Sequence, residues 1–153
     1  MIQSDADLTK LHEGCTLIAK PDAKGKWALG YGHDISAPAP GAEAPTCTQE
    51  QADTYFALDL ELARQRAATV FQGINIGARW SDLDPVRQAV LTDMAYEMGG
   101  AGLREFQDML LAVYEQRWEA ATREMLNSLW AQEVPGRARM DAGMMLEGTW
   151  PQV

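Results

Sequence analysis

The sequence predicts a mainly helical α+β fold, with a small antiparallel sheet in the N-terminal part and a helical remainder joined to it by one long helix. Three observations predict it. Gly and Pro cut residues 16–36 into stretches too short for helices. Residues 48–70 contain neither Gly nor Pro. From Asp84 to Leu146 the apolar residues recur at steps of three and four.

Each element has a local reason. Residues 4–12 read as a helix capped by Ser4, with Asp7 three residues on, where a carboxylate suits a helix N-terminus. Leu8 and Leu11 share one face and Cys15 extends it, while Gly14 ends the helix. Thr16–Ala19 and Lys26–Leu29 read as sheet strands between the punctuating pairs Pro21-Asp22 and Gly30-x-Gly32. Residues 37–47 carry three prolines and form a stiff loop.

Thr48 to Gln51 has the pattern of a capping box and opens the long helix 48–70. Ala52, Tyr55, Phe56, Leu58, Leu62 and Ala63 supply its predicted apolar face. Asp84 caps the next helix and Pro85 occupies its first turn. Val86, Val90, Met94 and Met98 follow, before the glycine-rich break at residues 99–102. Two further faces are Leu103, Phe106, Leu110, Val113 and Trp118, Ala121, Met125, Leu129. A last helix runs from Pro135-Gly136 to Leu146. The division that follows is a small α+β lobe over residues 13–60 and a helical lobe over 71–153, with helix 4–12 packed near the second and helix 48–70 linking them. A cleft between such lobes is a usual place for a ligand.

Composition excludes several classes. The chain has 153 residues and a net charge of −9, which opposes nucleic-acid binding and charge-driven docking on anionic membrane. No apolar run reaches the ~18 residues of a membrane span, and the first residues lack the pattern of a secretory signal. The reading is a protein made in the cytoplasm, without membrane insertion. Two cysteines, Cys15 and Cys47, and two histidines, His12 and His33, give no zinc-site spacing, so no metal is expected.

The chemistry points to carboxyl groups. Glu13 lies at the end of the first helix beside Leu11, Cys15 and Leu17, and burial there would keep its carboxyl protonated, as a general acid requires. Asp22 sits among Lys20, Lys24 and Lys26, where cations favour the ionised form. Two carboxyls pushed in opposite directions are the pairing of glycoside hydrolysis. Spacing alone does not single out this pair, since an acidic chain offers many.

The surrounding residues do. Leu11-His12-Glu13-Gly14, Asp22 nine positions after Glu13, and Gly25-Lys26-Trp27-Ala28-Leu29-Gly30-Tyr31-Gly32-His33 resemble the phage T4-type lysozyme family, glycoside hydrolase family 24. So do Asp82-Leu83-Asp84, Met98-Gly99, Gln116-Arg117-Trp118, Pro135-Gly136-Arg137-Ala138-Arg139 and Gly148-Thr149-Trp150. The likeness spans nearly the whole chain and implies the two-lobe lysozyme fold. It implies a cofactor-free monomer acting on peptidoglycan glycan strands after release from the cell. It implies cleavage of the β-1,4 bond between N-acetylmuramic acid and N-acetylglucosamine, commonly with inversion. Glu13 matches the acid and Asp22 the base or electrostatic stabiliser. Arg137 matches an arginine near the acid, and His33 and Asp59 a supporting pair; Gly30 reads as close backbone packing beneath the sugar, and Trp27 and Tyr31 as candidates to face the sugar rather than the core.

Three departures stand out. Ala28 occupies the place of the family's water-holding Thr, Lys20 that of a frequent Tyr, and the net charge is acidic where a basic surface suits an anionic wall. They leave open a lysozyme-fold protein that binds glycan with weak or no cleavage. An antibacterial effector delivered by a secretion machine would carry the same residues.

Overall fold

The computed structural model describes all residues, 1–153. Helix α1 (Asp5–Glu13) leads into strands β1 (Thr16–Pro21), β2 (Trp27–Gly30) and β3 (His33–Ile35). Helices α2 (Gln49–Gln72), α3 (Pro85–Arg104), α4 (Gln107–Tyr114), α5 (Trp118–Leu126), α6 (Leu129–Glu133) and α7 (Pro135–Glu147) follow, with a 3-10 turn at Trp80–Asp82. The fold is mainly helical α+β.

Ser4 Oγ caps α1 by accepting the Asp7 N–H at 3.1 Å, and Gly14, with φ at 64°, closes it. Glu13 is therefore the last helical residue. The apolar face expected around it does not form: Leu8 is buried, but Leu11 is 52% exposed, Leu17 is 39% exposed and Cys15 is exposed.

The three strands form an antiparallel meander, β1-β2-β3. Lys20 and Asp34 flank Ala28 in register, and Pro21 and Ile35 flank Trp27. β3 was not foreseen, because its three residues carry too short a pattern to read. The proline loop covers the free edge of β1, with Ala19 N–H donating to Pro45 O at 2.8 Å and Cys47 N–H to Leu17 O at 3.0 Å. A covered edge cannot pair with another chain.

At α2 the capping box is complete. Thr48 Oγ1 accepts from Gln51 N–H, and the Gln51 side chain accepts from Thr48 N–H. The buried stripe is Ala52, Phe56, Leu60, Ala63, Ala67, Val70 and Phe71. The expected Leu58 and Leu62 are 67% and 42% exposed. Each lies two residues from Leu60, which turns it about 200° around the helix axis. The buried stripe is itself spaced at three and four, and apolar residues on both faces left the helical phase open.

Asp84 Oδ1 caps α3 through the Arg87 N–H at 3.0 Å. Gly99, at φ 73°, kinks α3, and the helix resumes beyond it. Leu129 is exposed rather than core, because α5 ends at Leu126 and Ser128 Oγ caps a new short helix at Ala131 N–H. That helix buries Trp130 instead. The largest core cluster holds 26 buried residues, drawn from Ile2, Leu8 and residues 63–145. It packs around α3, whose Val90, Leu91 and Met94 are fully buried.

Candidate active site

Glu13 is bounded on two sides. Arg137, in the first turn of α7, donates from Nη1 to Glu13 Oε1 at 2.7 Å. The same guanidinium donates from Nε to Asp93 Oδ2 at 2.7 Å and from Nη2 to Asp93 Oδ1 at 2.9 Å. Its Nε also lies 3.2 Å from Glu97 Oε2, which accepts the Trp130 indole N–H at 2.8 Å. Asp93 and Glu97 are four apart on α3 and so present one face to α1 and α7. Thr9 adds a hydroxyl to Asp93 Oδ1 at 2.8 Å.

The second side is backbone. Gly32 stands at φ 74°, and a Cβ built there would lie 2.6 Å from Glu13 Oε2. Only glycine lets the turn approach the carboxyl this closely. Tyr96 on α3 holds the same turn, donating its hydroxyl to the Tyr31 carbonyl. Gly32→Ala is expected to destabilise the protein by about 1–2 kcal/mol through the left-handed backbone and to move Glu13 off Arg137. Urea unfolding and a crystal structure of the variant check both.

Burial pushes the Glu13 carboxyl above its ordinary pKa; Arg137 opposes this, and Asp93 and Glu97 reinforce it. The apolar neighbours predicted from sequence are not the cause, since they are exposed. Burial also pulls on Arg137, but Asp93, Glu13 and Glu97 outweigh it and keep the guanidinium charged.

Asp22 opens the β1–β2 turn and is exposed. Its Oδ1 accepts the backbone N–H groups of Lys24 at 2.8 Å and Lys26 at 2.9 Å. The backbone closes the same turn, with Asp22 N–H donating to Lys26 O at 2.7 Å. Two of the lysine ammonium groups expected beside it point elsewhere: Lys24 Nζ lies 3.8 Å from Glu133, and Lys26 Nζ lies 2.9 Å from Asp34. Backbone dipoles, not those two charges, fix this carboxylate.

A groove of about 640 Å³ is lined by Lys24 of the turn, Glu97 of α3, and Phe106, Trp130 and Glu133, while Glu13, Asp22 and Arg137 do not line it. It therefore runs from the turn that carries Asp22 to the carboxylate that shares Arg137 with Glu13.

The other residues singled out in sequence sit as follows. Ala28 is half-buried on β2. Gly30 is buried under α2, where a Cβ would lie 3.2 Å from Ala52 Cβ. The Tyr31 ring packs 5.1 Å from Phe56, with Lys10 Nζ 4.8 Å over it. Trp27 is half-buried. His33 Nδ1 lies 2.7 Å from Asp59 Oδ2, and its ring stacks on Tyr55 at 4.4 Å.

Asp93, Glu97 and Thr9 were missed in sequence, along with His12 and Asp141 beneath them. The sign that could have found them was a charge inside an apolar run. Asp93 interrupts Val90-Leu91-Thr92 and Met94-Ala95, and Asp141 interrupts Met140 and Ala142. An acid at such a position is rarely buried without a partner.

Residues 10–145 match the phage lysozyme family. Two relatives from Dictyostelium discoideum, probable T4-type lysozymes 1 and 2, are each 23% identical over 168 residues, with 97% of both chains covered. The pre-baseplate central spike protein Gp5 of Enterobacteria phage T4 is 28% identical across 95% of this chain and 28% of its own length. The peptidoglycan hydrolase gp36 of Pseudomonas phage phiKMV is 30% identical across 78% of this chain and 12% of its own.

Proposed function

The chain belongs to the phage lysozyme family, and from that premise we propose that this peptidoglycan hydrolase cuts the β-1,4 bond between N-acetylmuramic acid and N-acetylglucosamine. Glu13 is the general acid. Asp22 is the base that orients water and stabilises the oxocarbenium-like transition state.

One observation carries the assignment of the acid: a carboxyl pushed toward its neutral form by burial, yet gripped by Arg137 at one oxygen. An oxygen that accepts from a guanidinium is the unprotonated one. When Glu13 takes up its proton, that proton therefore belongs on Oε2, the oxygen that faces the Gly32 turn. A general acid must present a proton in a fixed direction, and this arrangement fixes it.

Asp22 differs in every respect. It is exposed and held by two backbone N–H groups on one oxygen, while its Oδ2 accepts no bond from the protein. That oxygen is open to a water. Cleavage with inversion places this water on the face of the sugar opposite Glu13.

Ala28 favours a second reading, a lysozyme-fold glycan binder, because its methyl group cannot hold a water. Ala28→Thr separates the two. The added hydroxyl is expected to raise turnover on purified murein by positioning the nucleophile. Reducing-end release by both proteins is the measurement. A folded variant with no gain would show that the missing hydroxyl does not limit the rate. No release by either would favour the binder.

A further inference from the structure

Behind the Glu13–Arg137 contact lies a cluster with no role in the mechanism above. His12 on α1 and Asp141 on α7 approach at 3.3 Å, Nε2 to Oδ1, with side chains 7% and 0% exposed. Asp93 on α3 completes the group, and one ligand atom from each of the three falls within 4.8 Å of the others. His12 Nε2 and both Asp141 oxygens have no hydrogen-bond partner. Buried polar atoms are rarely left in that state.

The charge count is the second difficulty. α1 brings His12, Glu13 and the Thr9 hydroxyl; α3 brings Asp93 and Glu97; α7 brings Arg137 and Asp141. One guanidinium already faces three carboxylates. A fourth buried charge would add a desolvation penalty with no cation left to offset it.

A proton on Asp141 removes the fourth charge and turns one of its unpartnered oxygens into a donor, which a metal ion does not. Asp93 Oδ1 and Oδ2 already accept from Thr9 and twice from Arg137. A divalent cation would have to share Asp93 with the arginine and would be repelled by it. A proton needs only a spare lone pair.

We propose that Asp141 is a positioning residue for Glu13: packed against a neutral His12, it carries a proton and donates it in a hydrogen bond to Asp93, which leaves Arg137 free to hold Glu13. Burial pushes Asp141 well above the ordinary carboxyl range, with Asp93 adding to it by charge and hydrogen bond. Burial pulls His12 down, Asp93 opposes this, and Arg137 reinforces it. Asp93 thus receives a neutral donor that spreads its charge. Without that donor Asp93 draws more strongly on Arg137, and Glu13 loses part of its counter-charge. The catalytic consequence rests on Glu13 being the acid; the protonation of Asp141 does not.

The test is stability against pH for wild type and Asp141→Asn. Asparagine copies the neutral acid and can donate to Asp93. An unfolded Asp ionises near pH ~4, whereas folded Asp141 keeps its proton above that. The stabilisation from this proton is full below the unfolded value and is lost as pH rises toward the folded one. The wild-type unfolding constant should therefore grow relative to Asp141→Asn by about tenfold per pH unit above pH ~5. Glu13 contributes equally to both proteins and cancels. A ratio independent of pH overturns the proposal. The 13C shift of the wild-type Asp141 carboxyl at pH 7 decides the same point without a variant. A protonated shift supports the proposal, and an ionised shift overturns it. Stabilisation of wild type but not Asp141→Asn by Zn²⁺ alone at pH 8 would also overturn it, in favour of a cation site.

The positioning role is read from kcat/KM on murein against pH. Asp141→Val should move the alkaline limb upward, and Asp141→Asn should restore it. An unmoved limb in a folded Asp141→Val overturns the positioning role while leaving the proton in place. Loss of the Glu13 assignment would instead be seen as activity in Glu13→Gln.

Discussion

Glu13→Gln is expected to abolish lysis of purified cell walls while the protein stays folded. The amide keeps an oxygen to accept from Arg137, so the contact at 2.7 Å has a replacement. It has no proton to give to the leaving oxygen. Loss of general-acid catalysis costs roughly 10²–10⁴-fold in rate. Turbidity loss of a murein suspension measures the effect, and circular dichroism confirms the fold. Stability should not fall, because the acid is buried and pushed toward neutrality, and a neutral amide meets less of the burial penalty. A variant that lyses at the wild-type rate would remove Glu13 from the mechanism.

Arg137→Met should produce the largest loss of stability. The guanidinium is the cation shared by Glu13, Asp93 and Glu97, and Asp93 is completely buried. Methionine fills much of the volume but leaves these carboxylates without their cation. Removing one partner of a buried ion pair costs about 3–5 kcal/mol, a large share of the ~5–15 kcal/mol that holds a domain folded. Arg137→Lys should recover only part of it, because a point charge cannot donate in the three directions that the planar fork serves. Urea unfolding at neutral pH gives both values. A loss below about 1 kcal/mol for Arg137→Met, in the range of an exposed ion pair, would mean that water already neutralises the cluster.

The sequence carried the features that depend on neighbours a few residues away. Ser4, Thr48 and Asp84 each cap a helix through the residue three positions on, so caps were readable at once. The glycines at 30 and 32 marked a backbone that side chains cannot follow, though not what approached it. Helical phase was less secure. Leu58 and Leu62 are apolar on the outer face of α2, and only the packing of α2 against α3 decides between them and Leu60.

What stood furthest from the sequence was the company of Glu13. Arg137 is 124 residues away from it, and Asp93 is 44 residues from Arg137. Three helices have to pack before one guanidinium meets three carboxylates, and no local pattern encodes that meeting. The family resemblance pointed to Arg137 but not to Asp93, Glu97 or Asp141. For Asp22 the local composition misled. Lysines near in sequence suggested a charge-stabilised carboxylate, while the turn uses the N–H groups of Lys24 and Lys26 and sends their ammonium groups to Glu133 and Asp34.

In the proposed reaction, water placed by Asp22 attacks a bond whose leaving oxygen is protonated by Glu13. Mass spectrometry of the fragments released from purified peptidoglycan tests both halves of that reaction together. The expected fragments end in a reducing N-acetylmuramic acid carrying one added water, formed by wild type and absent with Glu13→Gln. Fragments ending in an internally closed anhydro sugar, with no water added, would contradict it, because they would need the acid but no water held by Asp22.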